Sequence, residues 1–288
     1  MIKVHIEPNA GFCFGVKRAI DAIEDRLKSN PAQTLHCLGE LVHNHEEVTR
    51  LEALGMKTID HSNLDSLEKS TVVIRAHGEP PETFSRLNKS SQTVIDLTCP
   101  VVRKLQERIR DAYRSAPDSQ IVIIGKVGHP EVVGLNGQTD NHAIIISSPE
   151  EVDRLIDPDK PVILFAQTTI AQSLYDQVVE RIKSQSRNRQ LLFHNTLCRR
   201  VSNRESELRQ FARQHQVVVF VSGRNSSNGN YLYSLAKAEN PHTHFVSSPE
   251  EVQKEWFTDG IEVGVSGATS TPQWLLEKVA QTIQSFFP

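Results

Sequence analysis

The chain of 288 residues has few of the residues that usually announce a function: four cysteines, two tryptophans, two methionines and only 6% aromatics. Cys13, Cys37, Cys99 and Cys198 stand singly with no CxxC pair, which excludes both a small secreted disulfide framework and a zinc knuckle. Any chemistry they share has to be gathered by tertiary folding. Long apolar runs are missing as well. None approaches the roughly 18 residues of a spanning helix, and the start, MIKVHIEP, has no apolar targeting stretch. The expectation is a soluble, cytoplasmic chain with no membrane partner. Charge of one sign is also lacking: 32 Lys and Arg against 35 Asp and Glu give a formal net charge of −3. No basic field is available to neutralise a phosphate backbone, so no nucleic-acid partner is expected.

What is present is a recurrence of short β-branched runs: Val4 to Ile6, Val72 to Ile74, Ile121 to Ile124, Ala143 to Ile146, Val162 to Phe165, Val217 to Val221 and Ile261 to Val265. Such runs read as buried parallel strands. Between them lie apolar residues at helical spacing, as in Val16, Ile20, Ile23, Leu27 and in Leu105, Ile109, Ala112. The alternation predicts α/β units with crossover helices and function in loops at the carboxyl ends of the strands.

A repeat counts the units. SSPEEV occurs at 147–152 and 247–252, each time with the pattern of a capping box: Ser, a Pro at the first helical position and a Glu three residues after the Ser. Ser148 lies 49 residues beyond Cys99, Ser248 lies 50 beyond Cys198, and Ser62, before the helix-like run 63–67, lies 49 beyond Cys13. Three similar units in tandem are expected, 1–97, 98–195 and 196–288, each led by one cysteine. The same ruler finds a polar loop 28 to 30 residues after each cysteine (His43, His129, Ser226) and a second one 64 to 72 residues after it (His77, Thr168, Ser270). If the units pack about a pseudo-threefold axis with these loops inward, three thiolates and six polar loops converge.

Each of the three repeated cysteines falls between a strand and a helix start, where the helix dipole favours a thiolate. A thiolate-only set selects zinc or iron and sulfide. Three thiolates leave one iron of a four-iron cluster open, the arrangement of a Lewis acid that binds a substrate oxygen. Cys37 has no counterpart in the other units and reads as a buried strand residue. His, Ser, Thr and Asn on glycine-bearing loops suit phosphate in a chain with little net charge. Glu131, in GHPE, is on the residues alone either a proton donor with a raised pKa or a solvated loop carboxylate.

Taken in order, GFCFGVKRAI, LGELVHN, RAHGEP, DLTCPVV, GHPEVVG, AQTT, SGRNSSN and GATSTP cover the chain end to end and resemble the family of 4-hydroxy-3-methylbut-2-enyl diphosphate reductases, the LytB family. The resemblance implies three tandem α/β domains with small parallel sheets in a trefoil-like, pseudo-threefold arrangement around one oxygen-sensitive 4Fe-4S cluster. It implies removal of an allylic hydroxyl with two electrons and two protons, giving isopentenyl and dimethylallyl diphosphate, the last step of the methylerythritol phosphate route. Carried over, Cys13, Cys99 and Cys198 are the cluster ligands, with the apical iron open to substrate. His43, His77, Ser226, Ser227, Asn228 and Ser270 bind the diphosphate. His129 and Thr168 lie near the substrate's carbon chain and hydroxyl, and Glu131 is the proton donor. A ferredoxin or flavodoxin is the implied electron donor. The chain departs from the family pattern at Arg200 and Val201, where many members carry a small residue and a Thr. Two other readings compete: an iron–sulfur hydro-lyase for another small anionic substrate, which calls for arginines, of which the loops offer Arg75 and Arg224; and a non-catalytic iron–sulfur sensor, which calls for a DNA-reading helix or a basic tail.

Overall fold

A run such as VVVFV at 217–221 has no polar side to show to water, so it is stable only as a strand covered on both faces. The computed structural model, which describes residues 2–30, 33–67, 69–188 and 190–287, is built on this constraint. In chain order its elements are β1 (Lys3–Ile6), α1 (Phe14–Ser29), β2 (Leu35–Leu38), α2 (His45–Ala53), β3 (Met56–Ile59), β4 (Thr71–Ile74), α3 (Pro81–Lys89), β5 (Thr93–Asp96), α4 (Pro100–Ser115), β6 (Gln120–Ile124), α5 (Pro130–Asn136), β7 (Ile144–Ile146), α6 (Val152–Leu155), β8 (Val162–Ala166), α7 (Gln172–Gln185), β9 (Leu191–Phe193), α8 (Arg199–Gln214), β10 (Val217–Val221), α9 (Ser227–Glu239), β11 (Thr243–Val246), β12 (Glu262–Gly267) and α10 (Gln273–Ser285). The chain divides into two compact units, one of Met1–Leu35, Glu40–Thr58 and Asn203–Pro288, the other of His36–Gly39 and Ile59–Ser202.

The strands form three small parallel sheets of four, ordered β3-β2-β4-β5, β7-β6-β8-β9 and β11-β10-β12-β1. The three orders are one pattern. In each, the first strand in sequence lies second, its successor flanks it, and the next two extend the other side. For the last sheet the fourth strand comes from the other end of the chain: β1 pairs with β12 in the register Lys3↔Glu262 to Ile6↔Val265. The fourth strand of every sheet therefore leads to a cysteine: β5 to Cys99, β9 to Cys198 and β1 to Cys13. The sequence repeat is thus real in topology but closes cyclically, with β1 of the first sequence segment hydrogen-bonded into the sheet of the last.

Burial follows the strand period of two. On β10, Val217, Val219 and Val221 join a core with Leu275, Leu276, Val279 and Ile283 of α10. The alternate Val218 and Phe220 join Leu208 and Ala212 of α8 and Leu232 and Ala236 of α9. On β6, Val122 and Ile124 meet Val178 and Ile182 of α7, while Ile121 and Ile123 meet Leu105 and Ile109 of α4. No helix among the described residues is long and apolar enough to cross a membrane.

Two local expectations are corrected. Ser62 is not a helix cap, and 63–67 is not a helix. Asp60 caps a single 3-10 turn, His61–Asn63, by a reciprocal bond with Asn63, which places Ser62 inside the turn. In the SSPEEV segments Ser148 and Ser248 do hold the N-cap position, but each precedes a 3-10 turn rather than a full helix, and only the first continues into α6. Glu151 and Glu251 accept from the N–H of Ser147 and Ser247, one residue before the capping Ser.

Within the first unit a buried ion pair fixes two strand ends. Arg204 of α8 donates to Glu7 at 2.5 and 2.8 Å and also reaches Ser266 Oγ and the Gly267 carbonyl at 3.3 Å. Both partners are 4% exposed. Removing one member strands a buried charge, whereas removing both does not. Arg204→Met should lower stability by about 3–5 kcal/mol in chemical denaturation, and adding Glu7→Leu should restore much of that loss. An equal or larger loss in the double variant would refute this account.

Candidate functional site

The local structure at Cys13, Cys99 and Cys198 is the same three times. Each lies immediately before a 16-residue helix, α1, α4 or α8. Each cysteine carbonyl accepts the first helical N–H, from Lys17, Arg103 or Ser202. Each cysteine N–H is in turn held by a loop carbonyl: Thr269 for Cys13, Ala76 for Cys99 and Thr168 for Cys198. All three are partly exposed, and no cysteine is in a disulfide. A thiolate, or an anionic cluster, gains from the amide ends of such helices. Cys37 differs in every respect: it is fully buried on β2, where desolvation pushes its thiol up to about 12. That is the chemistry of a packed side chain, not a ligand.

In the second unit, His129 caps α5, and Glu131 stands in the first turn of that helix. The Glu131 N–H donates to His129 Nδ1 at 3.2 Å, which leaves the Nε2 edge of a neutral His129 as its N–H side. Glu131 is 2% exposed, so it is not a solvated loop residue. Its two oxygens accept from the N–H and the hydroxyl of Thr168, at 2.7 and 2.9 Å. Burial raises its pKa to about 7, the Thr168 hydrogen bonds opposing the rise only in part. Because the Thr168 carbonyl accepts from the Cys198 N–H at 2.9 Å, one peptide segment joins the buried carboxyl to a cysteine. His77, in the loop after β4, meets the His129 ring edge to face, with centroids 5.4 Å apart. Sequence reasoning missed Thr196, whose hydroxyl donates to the Ala166 carbonyl at 2.6 Å and accepts from its N–H at 2.8 Å, stitching the segment before Cys198 to β8. The signal was the Thr two residues before the Cys in NTLC. At the departures, Val201 is buried and offers no hydroxyl, whereas Arg200 is exposed.

In the first unit, Ser226 caps α9 by accepting from the Gly229 N–H at 3.0 Å, and its hydroxyl lies 3.3 Å from that of Ser270. Asn228 Oδ1 accepts from Thr269, which was overlooked beside Ser270 in GATSTP. The amide is thereby oriented, and its buried Nδ2 has no partner. Asn44 behaves alike: Oδ1 accepts from the Glu47 N–H, and its buried Nδ2 is unpartnered. Buried N–H donors without acceptors are what an anionic ligand would satisfy. The His43 loop and the β10 loop meet at Gly223, where a Cβ would lie 2.1 Å from the His43 carbonyl oxygen. They border a cleft of about 210 Å³ lined by Glu40, His43, Asn44, Gly223, Arg224 and Ser247. Ser227, partly exposed, opens α9. Ser270 and Thr271 do not cap α10, since Pro272 holds that position and Thr271 donates to the Val221 carbonyl.

Because the Glu131 pKa is raised in the folded protein, its contribution to stability is complete below about pH 4.5 and is lost as pH rises towards 7. Thermal stability of the cluster-free protein should fall over that window, and Glu131→Gln should remove part of the slope, on the order of 3 kcal/mol at most. Parallel pH curves for the two proteins would show that Glu131 is not the group responsible.

The model of the family described as LytB protein matches residues 4–284. A 4-hydroxy-3-methylbut-2-enyl diphosphate reductase of Parabacteroides distasonis is 45% identical over 99% of this chain and 98% of its own. The enzyme of that name from Bacteroides thetaiotaomicron is 44% identical with the same two shares. A solved structure of (E)-4-hydroxy-3-methyl-but-2-enyl diphosphate reductase, the terminal enzyme of the non-mevalonate pathway, superposes with a TM-score of 0.74 at 34% identity, covering 99% of this chain and all of that one. The E-1-hydroxy-2-methyl-but-2-enyl-4-diphosphate reductase from Plasmodium falciparum shares the fold at a TM-score of 0.84 and 23% identity, over 98% of this chain and 87% of that one. With one family model spanning nearly its whole length and full-length relatives above 40% identity, the chain belongs to the LytB family.

Proposed function

We propose that this chain reduces (E)-4-hydroxy-3-methylbut-2-enyl diphosphate to isopentenyl and dimethylallyl diphosphate, releasing the allylic hydroxyl as water. The observation that carries the reading is the buried Glu131–Thr168 pair on the peptide that also holds Cys198. Cys13, Cys99 and Cys198 fit a 4Fe-4S cluster: three thiols in three equivalent helix-start settings, outside any disulfide. When bound, that cluster would relay the carrier's two electrons one at a time and would offer Lewis acidity towards the substrate hydroxyl.

The protein's own residues do the rest. In this reading His43, His77, Ser226, Ser227, Asn228 and Ser270 donate to the diphosphate, and the unpartnered Asn228 amide gains an acceptor. His129, whose Nδ1 is engaged by the Glu131 N–H, presents its other edge to the ligand. At neutral pH Glu131 is poised between its two protonation states, the condition under which a general acid delivers a proton to a departing hydroxyl and is recharged. With Glu131 protonated, the Thr168 hydroxyl can turn from donor to acceptor and pass its own proton on. Electrons come from a carrier such as a ferredoxin or flavodoxin. A carboxylate-binding hydro-lyase lacks its arginines: Arg224 pairs with Glu251 at 2.6 Å, and Arg75 is buried beside Glu79.

The direct test is an anaerobic assay with the diphosphate substrate and a low-potential reductant. The purified protein should carry about four irons per chain. Cys13→Ser, Cys99→Ser and Cys198→Ser should each lose the cluster, and Cys37→Ser should keep it. Full activity from a colourless, zinc-loaded protein would end the cluster reading.

Glu131→Gln should keep the cluster spectrum and near-normal substrate affinity while kcat falls about 10²-fold or more, the cost of losing a general acid. Thr168→Val should show a smaller loss of the same kind. Near-normal kcat in Glu131→Gln would move the proton source elsewhere.

A further inference from the structure

Glu79 is a nearly fully buried carboxylate, 3% exposed, for which the reaction itself has no use. It ends the turn that carries His77. That turn is closed by the Gly78 N–H donating to the Arg75 carbonyl at 3.0 Å, with Gly78 at φ +73°. The carbonyl of Ala76, in the middle of the turn, accepts from the Cys99 N–H. A four-residue segment thus serves both a substrate-facing histidine and the backbone of a cysteine. Three groups converge on Glu79, two from outside the turn and one from its first residue. His61 Nε2 lies 2.7 Å from Oε2, the Thr83 hydroxyl donates to the same oxygen at 3.3 Å, and Arg75 Nη2 faces Oε1 at 3.9 Å. The Arg75 guanidinium packs over Gly39 so closely that a Cβ there would lie 2.4 Å from Nη1. On the far side, Gln106 of α4 donates to the Glu79 carbonyl at 3.4 Å and fills the space where Gly78 and Gly134 of α5 lack side chains.

Taking the functional reading above as its basis, we propose that Glu79 is a positioning residue for diphosphate binding: its carboxylate, clamped between Arg75, His61 and Thr83, fixes the Arg75–Gly78 turn so that His77 meets the ligand in the orientation set against His129. The physical ground is that a buried carboxylate facing a buried guanidinium from the two ends of one turn resists any re-aiming of the turn. Neutralising it leaves Arg75 buried opposite an amide and frees the His61 contact. Because Glu79 makes no contact with the Glu131–Thr168 pair, its loss should weaken binding without slowing proton delivery.

The test uses the cluster-loaded enzyme and two probes, the diphosphate substrate and inorganic diphosphate. Glu79→Gln should raise both the substrate KM and the dissociation constant of inorganic diphosphate about 10-fold, with kcat within about 3-fold and iron content and visible spectrum unchanged. His61→Gln, which keeps an N–H donor for the carboxylate, should stay near the wild type, whereas His61→Ala should shift part of the way. Unchanged KM and diphosphate binding in Glu79→Gln would overturn the proposal. So would a loss shared equally by kcat, iron content and melting temperature, the sign of a residue that only supports folding. A wild-type enzyme that binds diphosphate but does not turn the substrate over would sink the reductase reading, while the binding comparison would still decide the role of Glu79.

Discussion

The Thr168 segment is the constraint on which the geometry around Glu131 and Cys198 depends. Its N–H and hydroxyl hold Glu131, and its carbonyl holds the N–H of Cys198. A carboxyl buried this deeply is costly in its ionised form, and the two Thr168 bonds recover only part of that cost, so the group stays near neutrality in its titration. Were Glu131 exposed it would be an ordinary acid, fully ionised at working pH. Were it buried without Thr168 it would hold its proton too firmly to give it up. The β8 end is kept in register by the Thr196 hydroxyl on Ala166, so the segment bearing Thr168 is set by the sheet rather than by a loop free to drift.

The same economy appears in the sheets. One topological pattern, used three times, delivers the fourth strand of each sheet to a cysteine that starts a 16-residue helix. A cysteine in that place has its backbone satisfied on both sides, its carbonyl by the helix and its N–H by a neighbouring loop, so the backbone sets where the thiol stands. The loops that hold those N–H groups, at Thr269, Ala76 and Thr168, are also the loops that carry Ser270, His77 and Glu131's partner. The candidate substrate-binding loops and the cysteine backbones are therefore mechanically linked through single peptide groups. A substitution that moves one of these turns should disturb both, unless, as proposed for Glu79, it acts on one side of the turn only.

Much of this was legible in the sequence because the information there is local. Strands with both faces buried read as unbroken β-branched runs, and β4, β6, β8, β10 and β12 lie where those runs do. The cysteines at nearly equal offsets, and the polar residues at similar distances after them, exposed the repeat, because each repeat must place its loops at the same strand ends. The capping pattern at SSPEEV overstated the helix that follows. A Ser, a Pro and a Glu can close a single turn as well as open a helix, and only the apolar contacts of the next residues decide which.

By itself, then, the sequence determined the α/β class, the three cysteines as a set apart from Cys37, and the polar loops as a group, since these follow from periodicity, spacing and side-chain chemistry. Tertiary structure alone decided three things. The first was that β1 completes the last sheet, because strand pairing between residues 3–6 and 262–265 leaves no mark in either segment. The second was that Glu131 is a buried acid rather than a solvated one, because burial depends on what α5 packs against. The third was which side chains Glu79, Gln106, Thr196 and Thr269 bond to around the candidate site, because a supporting side chain is defined by the residue it touches and not by its own neighbours in the chain.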